Sequence, residues 1–340
     1  MASTNSLRIQ DDKLSSLGLT KTVVNKEEVA CYSRNLSSVS EKNPILVLLH
    51  GYPQSAYMWR HLIPLLPKDA PIFAPDLPGY GGSPPISQND KLSVGNAVLS
   101  ALKTEVKRTT SGSSSSAIPV YLIGHDRGAR VSHRLVVSGH EGIDILGVCL
   151  IDIVPTSAQW QHFVSPAQAA KEAVGYFHWP FLADAPLATR MIKAYGGAKW
   201  CTECILRWSG KSSTSQASLN ADDALSVYGG FFEQESVIEA SNEDYKHGAT
   251  TDLEAQEEDQ KAGRKIEKPL LLIYSSDFIG SRYDFESGGV WKEWAADGVK
   301  IRNHGLGKGI GHFGAEEAPE ECARVIGEWL KEVGGGGARL

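Results

Sequence analysis

The feature that most constrains the fold is a repeated alternation of short apolar runs with amphipathic stretches. Strand-like runs occur at 28–34, 44–50, 71–76, 119–125, 145–152, 269–275 and, more weakly, 299–305, and helix-like stretches at 92–108, 127–138, 284–296 and 315–333. This alternation is typical of a parallel sheet with helices on both faces. We therefore predict an α/β fold with a mostly parallel central sheet.

The alternation is interrupted between residues 155 and 250, where aromatic residues become frequent and strand-like runs disappear. Strand character returns at 269–275, so we predict a core formed by 1–154 and 251–340 with a helical cap, 155–250, inserted into it. An independent second domain is the alternative. The serine-rich segment 111–117 is expected to be a surface loop, and the C-terminal GGGGARL a frayed end.

Composition narrows the classes of partner. The chain has 340 residues, is 41% hydrophobic and carries a net charge of −6, which suits neither nucleic acid nor an anionic membrane. No apolar run approaches the roughly 18–20 residues that span a bilayer, and no secretory signal is visible at the N-terminus. We expect a cytoplasmic protein that acts on a small molecule; a homodimer is compatible with this composition.

Five cysteines at scattered positions indicate reduced thiols. Cys201 and Cys204 form a CxxC, but no second Cys or His pair stands nearby at zinc-like spacing. We interpret them as two thiols one turn apart on a helix. No metal and no other cofactor is expected.

The segment 119–136 has the pattern of a strand, a sharp turn and a helix. Gly124-His125-Asp126-Arg127-Gly128 matches the G-x-nucleophile-x-G turn, with Asp where Ser often stands. Glycines permit a strained turn, and the N-terminus of the following helix favours a negative charge. An ordinary strand–helix junction with an Asp near the N-cap would look similar. The other motifs favour the nucleophile.

Two more motifs stand where such a turn requires them. The HGYP segment follows the 44–50 run, and in folds of this kind it supplies an oxyanion-hole amide, here that of Tyr52, beside the amide of Arg127. His50 is interpreted as structural. His312 lies in a glycine-flanked loop before the last helix, where this fold places its base. The order of nucleophile, acid and base is that of the α/β-hydrolase fold.

Two carboxylates compete to orient His312. Asp152 ends one strand-like run and Asp277 follows another, so both lie at carboxyl ends of strands, where catalytic groups gather. The acid that does not orient His312 is expected to be a loop residue or a helix-capping residue. A carboxylate nucleophile suits attack on a saturated carbon bearing a leaving group, and the resulting ester is then hydrolysed by water that His312 activates. Dehalogenation and epoxide opening are both reactions of this type.

Seven segments together resemble the fluoroacetate (haloacetate) dehalogenases of the α/β-hydrolase superfamily: HGYPQSAYMWRH, DLPGYGGS, GHDRGARVSHRL, IDIVPT, YFHWPF, EDYKHG and GHFGAEEAPEE. They extend from about residue 45 to 330. GHDRGAR and FHW are the specific ones, whereas HGxP and DLPGYG are shared with epoxide hydrolases and haloalkane dehalogenases. The resemblance implies hydrolysis of 2-halocarboxylates to 2-hydroxycarboxylates and halide.

The resemblance also implies roles for individual residues. It makes Asp126 the nucleophile and His312 the base, and the IDIVPT segment favours Asp152 over Asp277 as the acid. Arg127 and Arg130 match the pair that binds the substrate carboxylate, which suits the forked geometry of guanidinium groups. Haloalkane dehalogenases and epoxide hydrolases typically carry an apolar Trp at the position of Arg127.

Further roles implied by the resemblance fall on the cap. His178, Trp179 and Tyr245 match the halide-binding trio, whose ring N–H and O–H groups donate to a leaving anion. Trp208 aligns with a pocket wall. Plain packing of the cap is the alternative for Trp179 and Trp208.

Three departures concern the substrate. The 111–117 loop looks like an insertion, no Lys stands close before His178, and the segment 273–289 differs from the family pattern. Epoxide hydrolysis therefore remains an alternative, because the cap also offers tyrosines that would polarise an epoxide oxygen: Tyr176, Tyr195, Tyr228 and Tyr245. A non-catalytic hydrolase-like binding protein is a third hypothesis, which the intact nucleophile, acid and base disfavour.

Overall fold

A single sheet forms the centre of the molecule. The computed structural model describes residues 2–110, 117–286 and 289–334. Within these ranges eight strands pair in the order β1-β2-β4-β3-β5-β6-β7-β8. They are β1 Thr20–Val24, β2 Val29–Arg34, β3 Ile45–Leu49, β4 Ile72–Pro75, β5 Ile118–His125, β6 Ile143–Ile151, β7 Leu270–Ser275 and β8 Ile301–Leu306.

The sheet is parallel from β4 through β3, β5, β6 and β7 to β8, and antiparallel where β1 and β2 extend one edge. Every residue of β3, β4 and β7 is buried. Strands covered on both faces read as continuous apolar runs, which is why the sequence revealed them. The predicted mostly parallel α/β sheet is confirmed, and so are all seven predicted strands.

Fourteen helices occur in the described part of the chain. Five accompany the core: α1 Ala2–Ser16, α2 Lys91–Thr109, α3 Arg127–Ser138 and, after β8, the pair α13 Gly314–Glu317 and α14 Pro319–Val333. The others follow one another between β6 and β7: α4 Thr156–Val164, α5 Ala169–Gly175, α6 His178–Ala183, α7 Ala185–Tyr195, α8 Gly197–Trp208, α9 Ser213–Asn220, α10 Ala224–Phe231, α11 Glu235–Gly248 and α12 Thr251–Ala262.

The helices between β6 and β7 form the insertion that the sequence predicted. The insertion interrupts a sheet whose strands β6 and β7 remain direct neighbours, so the core is continuous on either side of it. Helix α12 begins at Thr251, so the run of helices continues beyond the expected boundary at residue 250. Cys201 and Cys204 lie one turn apart on α8, both buried as free thiols. No helix in the described ranges is long and apolar enough to cross a membrane.

The prediction of a helix at 284–296 was wrong. The described residues of this stretch contain only a short 3₁₀ turn, Gly289–Trp291. Trp291 and Trp294 both pack edge-on against the buried ring of His133, with ring centroids 5.2 and 4.9 Å away. Tertiary burial of the indoles therefore decides the local conformation. The predicted loop at 111–117 and the frayed tail lie, except for Ala117 and Gly334, outside the described residues.

Helix α1 and strand β1 are not among the predicted elements, and α1 buries polar groups that hide its apolar face in the sequence. Gln10 is fully buried and donates from Nε2 to Asp76 Oδ2 at 2.7 Å and to Tyr32 Oη at 2.8 Å. Ser55 donates from Oγ to Gln10 Oε1 at 2.5 Å. Burial raises the pKa of Asp76 to about 6 against the effect of its hydrogen bonds. Helix α1 also contacts α10, so it links the insertion to the core.

Candidate active site

The turn between β5 and α3 presents Asp126 in a strained conformation. Its backbone has φ 45° and ψ −114°, a region that non-glycine residues rarely adopt. The chain is packed so tightly here that a Cβ on Gly51 would lie 2.6 Å from Asp126 Cβ, and one on Gly124 2.6 Å from the backbone of Ala129. A Cβ on Gly128 would collide with the Leu49 carbonyl. The two glycines of G-x-D-x-G are thus required by close backbone approach.

The Asp126 side chain is 7% exposed and accepts a hydrogen bond from the backbone N–H of Tyr52 at 2.9 Å, to Oδ2. Burial opposes ionisation of this carboxyl, but the positive charges of His312 and Arg127 outweigh burial, and the pKa of Asp126 is lowered. The carboxylate is therefore ionised at neutral pH. Oδ2 accepts from an amide, and Oδ1 has no hydrogen-bond partner among the described residues.

His312 is held by Asp152 at the end of β6. His312 Nδ1 lies 2.6 Å from Asp152 Oδ2. The other carboxylate oxygen, Oδ1, accepts from the backbone N–H and the hydroxyl of Ser275, both at 2.8 Å. Burial lowers the pKa of His312, but the hydrogen bond and charge of Asp152 outweigh it, and the pKa is raised. With Nδ1–H donated to Asp152, Nε2 is left to accept a proton.

Asp277, the other candidate acid, is not in contact with His312. Asp277 is exposed, and its Oδ2 accepts from the backbone N–H of Gly309 at 2.9 Å. It fastens the loop that leads to His312 and does not contact the imidazole. Of the two acids that the sequence left open, the structure brings only Asp152 to His312.

His50 has a structural position, as the sequence suggested. Its Nε2 accepts from the backbone N–H of Leu77 at 2.9 Å, and its Nδ1 lies 3.1 Å from the Gly51 carbonyl. Burial lowers the pKa of His50 to about 4, so the ring is neutral. It joins the HGYP loop to the residues after β4 and thereby supports the Tyr52 amide.

A small enclosed cavity of about 20 Å³ lies over Asp126. Eight of the residues proposed from sequence line it, namely Asp126, Arg130, Asp152, His178, Trp179, Trp208, Tyr245 and His312. Four lining residues were not assigned there: Gln159, Tyr176, Phe278 and Ile279. Tyr176 had been considered only for an epoxide. The others are separated in sequence from every motif, and only the fold brings them to the cavity.

Arg130 lies one turn into α3 and lines the cavity. Its Nη1 donates to the Val154 carbonyl and to the Thr156 hydroxyl, both at 3.0 Å. Its guanidinium carbon lies 4.5 Å from the centre of the Trp179 ring. Nε is buried without a hydrogen-bond partner among the described residues. Burial, with the neighbouring charge of Arg127, lowers the pKa of Arg130 to about 10, so it stays cationic at neutral pH.

Arg127, unlike Arg130, is hydrogen-bonded to a carboxylate of the protein. Its Nε donates to Asp244 Oδ2 at 2.6 Å and its Nη2 to the Asp244 carbonyl at 2.8 Å. Asp244 also forms a buried ion pair with Lys91. Arg127 is not among the residues that line the cavity, although its Nη1 is buried without a partner in the described part of the chain. Of the two predicted arginines, only Arg130 faces the cavity.

The insertion supplies the wall opposite Asp126. The rings of Trp208 and Tyr245 lie 4.4 and 5.9 Å from that of His178, and the ring of Trp179 lies 6.1 Å from that of Tyr245. Burial lowers the pKa of His178 to about 3, so the ring is neutral. His178 Nδ1 and Trp208 Nε1 are buried and have no hydrogen-bond partner within the described ranges. The wall opposite Asp126 is therefore aromatic, and the polar groups that it contains are uncharged.

Two of the four tyrosines proposed for the cap line the cavity, and two do not. Tyr176 and Tyr245 line the cavity, and the Tyr176 hydroxyl is buried with no partner among the described residues. Tyr195 is 43% exposed, and the Tyr228 hydroxyl donates to Glu316 Oε1 at 2.8 Å, away from the cavity. Only Tyr176 and Tyr245 therefore remain as a tyrosine pair.

The chain is similar to several known proteins. A fluoroacetate dehalogenase from Burkholderia sp is 29% identical over 309 residues, covering 88% of this chain and 90% of that protein. Epoxide hydrolase A of Mycobacterium tuberculosis is 30% identical over 171 residues, 46% of this chain and 48% of that protein. A solved structure described as an alpha/beta hydrolase, from Nostoc sp PCC 7120, superposes with a TM-score of 0.74 at 30% identity, covering 92% of this chain and 98% of that one.

The relatives thus include dehalogenases and epoxide hydrolases, which share one kind of scaffold. Residues 46–325 match the Alpha/beta hydrolase family. This range includes the turn at Asp126, the end of β6 with Asp152, the whole helical insertion and the loop of His312. The chain is an enzyme that belongs to the Alpha/beta hydrolase family.

Proposed function

We propose that this hydrolase converts small 2-halocarboxylates to 2-hydroxycarboxylates through a covalent ester on Asp126. One observation carries the choice of substrate: the buried cationic side chain of Arg130 lines the same cavity as the ionised carboxylate of Asp126. A guanidinium with a free N–H beside the nucleophile binds a carboxylate strongly.

In the first step, Asp126 attacks the carbon that bears the halogen. The Tyr52 amide holds Oδ2, so Oδ1 is the attacking atom. Its electron pair forms the C–O bond, while the electrons of the carbon–halogen bond leave with the halide. Trp179, His178 and Tyr245 face this side with polar hydrogens that stabilise the departing anion. The substrate carboxylate meanwhile rests on Arg130.

In the second step, water hydrolyses the ester. His312 Nε2 removes a proton from water, whose oxygen attacks the Asp126 carboxyl carbon. The tetrahedral oxyanion is bound by the Tyr52 amide, which already contacts Oδ2, and by the amide of Arg127 at the start of α3. When the intermediate collapses, the bond between the Asp126 carboxyl carbon and the ester oxygen breaks, and the His312 imidazolium protonates the leaving alkoxide, which departs as the 2-hydroxycarboxylate. Asp126 then loses the proton that remains on its carboxyl group to solvent and is again a carboxylate. Asp152 fixes the tautomer of His312 and stabilises its imidazolium.

Epoxide hydrolysis is the second candidate, because Tyr176 and Tyr245 line the same cavity. Their hydroxyls would donate to the epoxide oxygen while Asp126 opens the ring. The same nucleophile and base serve this reaction, so only the substrate class differs. Arg130, whose hydrogen-bond partners among the described residues are neutral oxygens, favours an anionic substrate over a neutral epoxide. The intact nucleophile, acid and base argue against a protein that only binds.

The substrate class is tested by a panel of chloroacetate, 2-chloropropionate and two small epoxides. We expect the parent enzyme to release chloride from chloroacetate with a higher kcat/KM than it shows for either epoxide. Asp126→Ala should be inactive toward all four compounds and serves as the blank. Faster turnover of an epoxide than of any haloacid would replace the proposed substrate with the second candidate.

The role of Arg130 is tested by Arg130→Ala. Charged hydrogen bonds contribute about 1.5–3 kcal/mol, so KM for chloroacetate should rise roughly 10- to 150-fold. Neutral chloroacetamide should show no comparable change. Arg134→Ala is the matched control, because Arg134 lies one turn further along α3 and pairs with Asp259. An unchanged KM for chloroacetate in Arg130→Ala would remove Arg130 from the binding site.

The assignment of the acid is tested by comparing Asp152→Asn with Asp277→Asn. Asp152→Asn should lower kcat by roughly 10³-fold or more, since an amide fixes the wrong tautomer of His312. Asp277→Asn changes an exposed side chain whose amide oxygen can still accept from the Gly309 N–H, and it should change kcat by about twofold at most. Steady-state chloride release measures both. Equal losses in the two variants would refute the pairing of Asp152 with His312.

A further inference from the structure

One buried carboxylate beside the site has no part in the mechanism above. Glu317, the last residue of α13, is 2% exposed. Its Oε1 accepts from the backbone N–H of Phe313 at 2.9 Å, and its Oε2 from the backbone N–H of Gly311 at 2.8 Å. These amides flank His312 on either side. A single side chain therefore fixes the backbone before and after the base.

The same carboxylate reaches across to the insertion. Glu317 Oε2 also accepts from the backbone N–H of Gly210 at 2.7 Å and from the hydroxyl of Ser215. Gly210 follows α8, the helix that ends at the cavity residue Trp208, and Ser215 lies in α9. Three backbone amides and one hydroxyl thus donate to one carboxylate.

The backbones of the two segments lie against each other. His312 N–H donates to the Trp208 carbonyl at 2.9 Å, and Ser212 N–H to the Gly309 carbonyl at 3.3 Å. A Cβ on Gly210 would collide with the Gly309 carbonyl, and one on Gly311 with the Gly210 amide. Glycines are therefore required on both sides of the contact. Segments 208–212 and 309–313 form one unit, which we call the base–wall contact.

The side chain of the adjacent residue, Glu316, makes different contacts from that of Glu317. Glu316 is also buried, but it points the other way and forms an ion pair with Arg60 and a hydrogen bond with Tyr228. The two adjacent carboxylates thus serve different contacts. Of these two side chains, only that of Glu317 accepts hydrogen bonds from the described backbone amides next to His312.

We propose that Glu317 is a positioning residue that fixes His312 over the Asp126 ester and ties it to the cavity wall at Trp208. The inference rests on the proposed function in one respect: the step that it supports is hydrolysis of the ester. Attack by Asp126 on the substrate uses neither His312 nor the base–wall contact. Loss of Glu317 must therefore slow the second step and leave the first unchanged.

The test uses Glu317→Gln, which keeps the volume of the side chain. An amide nitrogen cannot accept from N–H, so at least one backbone amide of the base–wall contact loses its partner. We expect the pre-steady-state release of the first equivalent of chloride from chloroacetate to keep its rate. Steady-state release should fall at least about tenfold, because the base is misplaced. Glu320→Gln, an exposed acid at the start of α14, is the matched control with unchanged kinetics.

A second measurement does not depend on turnover. The negative charge of Glu317 is one of the influences that raise the pKa of His312. The imidazole of His312, followed by NMR in the substrate-free enzyme, should titrate at lower pH in Glu317→Gln than in the parent and in Glu320→Gln. Ser215→Ala, which removes only the hydroxyl donor, should give the same division between the two steps with a smaller loss, and it replaces Glu317→Gln if that variant does not fold.

The results separate the two proposals. If both steps slow together, or if neither step changes and His312 titrates as in the parent, Glu317 does not position the base. If the parent releases no chloride from any haloacid, the proposed function fails. The titration of His312 then decides the role of Glu317 alone: a shift supports it and an unchanged titration refutes it.

Discussion

The strained turn at Asp126 is the constraint on which the rest of the site depends. Its positive φ projects the carboxylate out of the β5–α3 junction, and the backbone around Gly51, Gly124 and Gly128 leaves no room for another conformation. The same packing brings the Tyr52 amide within 2.9 Å of the carboxylate. Nucleophile and oxyanion donor are therefore placed together by one piece of backbone, before any substrate binds.

Charge balance around that turn limits what the cavity accepts. Arg127 and Lys91 each form an ion pair with Asp244, so these charges are largely compensated within the protein. Arg130 has only neutral oxygen partners and remains the cation that faces the cavity. A buried unpaired charge is costly, and a bound carboxylate offsets that cost. This explains why one of two adjacent arginines, and not both, is assigned to the substrate.

The sequence predicted the sheet and the positions of Asp126, Asp152 and His312 because continuous apolar strands and a glycine-flanked turn have local signatures. It did not predict α1, whose buried side chains include the polar Ser6 and Gln10, or the cavity residues Gln159 and Phe278, which only tertiary packing brings together. It paired Arg127 with Arg130, since helical spacing alone does not show that Asp244, 117 residues away, already holds one of them. Strand ends alone left Asp152 and Asp277 open; the resemblance favoured Asp152, and in the structure it is Asp152 that lies beside His312 Nδ1.

The covalent ester on Asp126 is the central claim, and trapping it is the most direct test. In His312→Ala the ester should form but not be hydrolysed, so incubation with chloroacetate should release about one equivalent of chloride per enzyme and then stop. Intact-mass analysis should show a carboxymethyl adduct, and peptide mapping should place it on Asp126. An unmodified His312→Ala protein, alongside a parent enzyme that turns over chloroacetate, would contradict the covalent route.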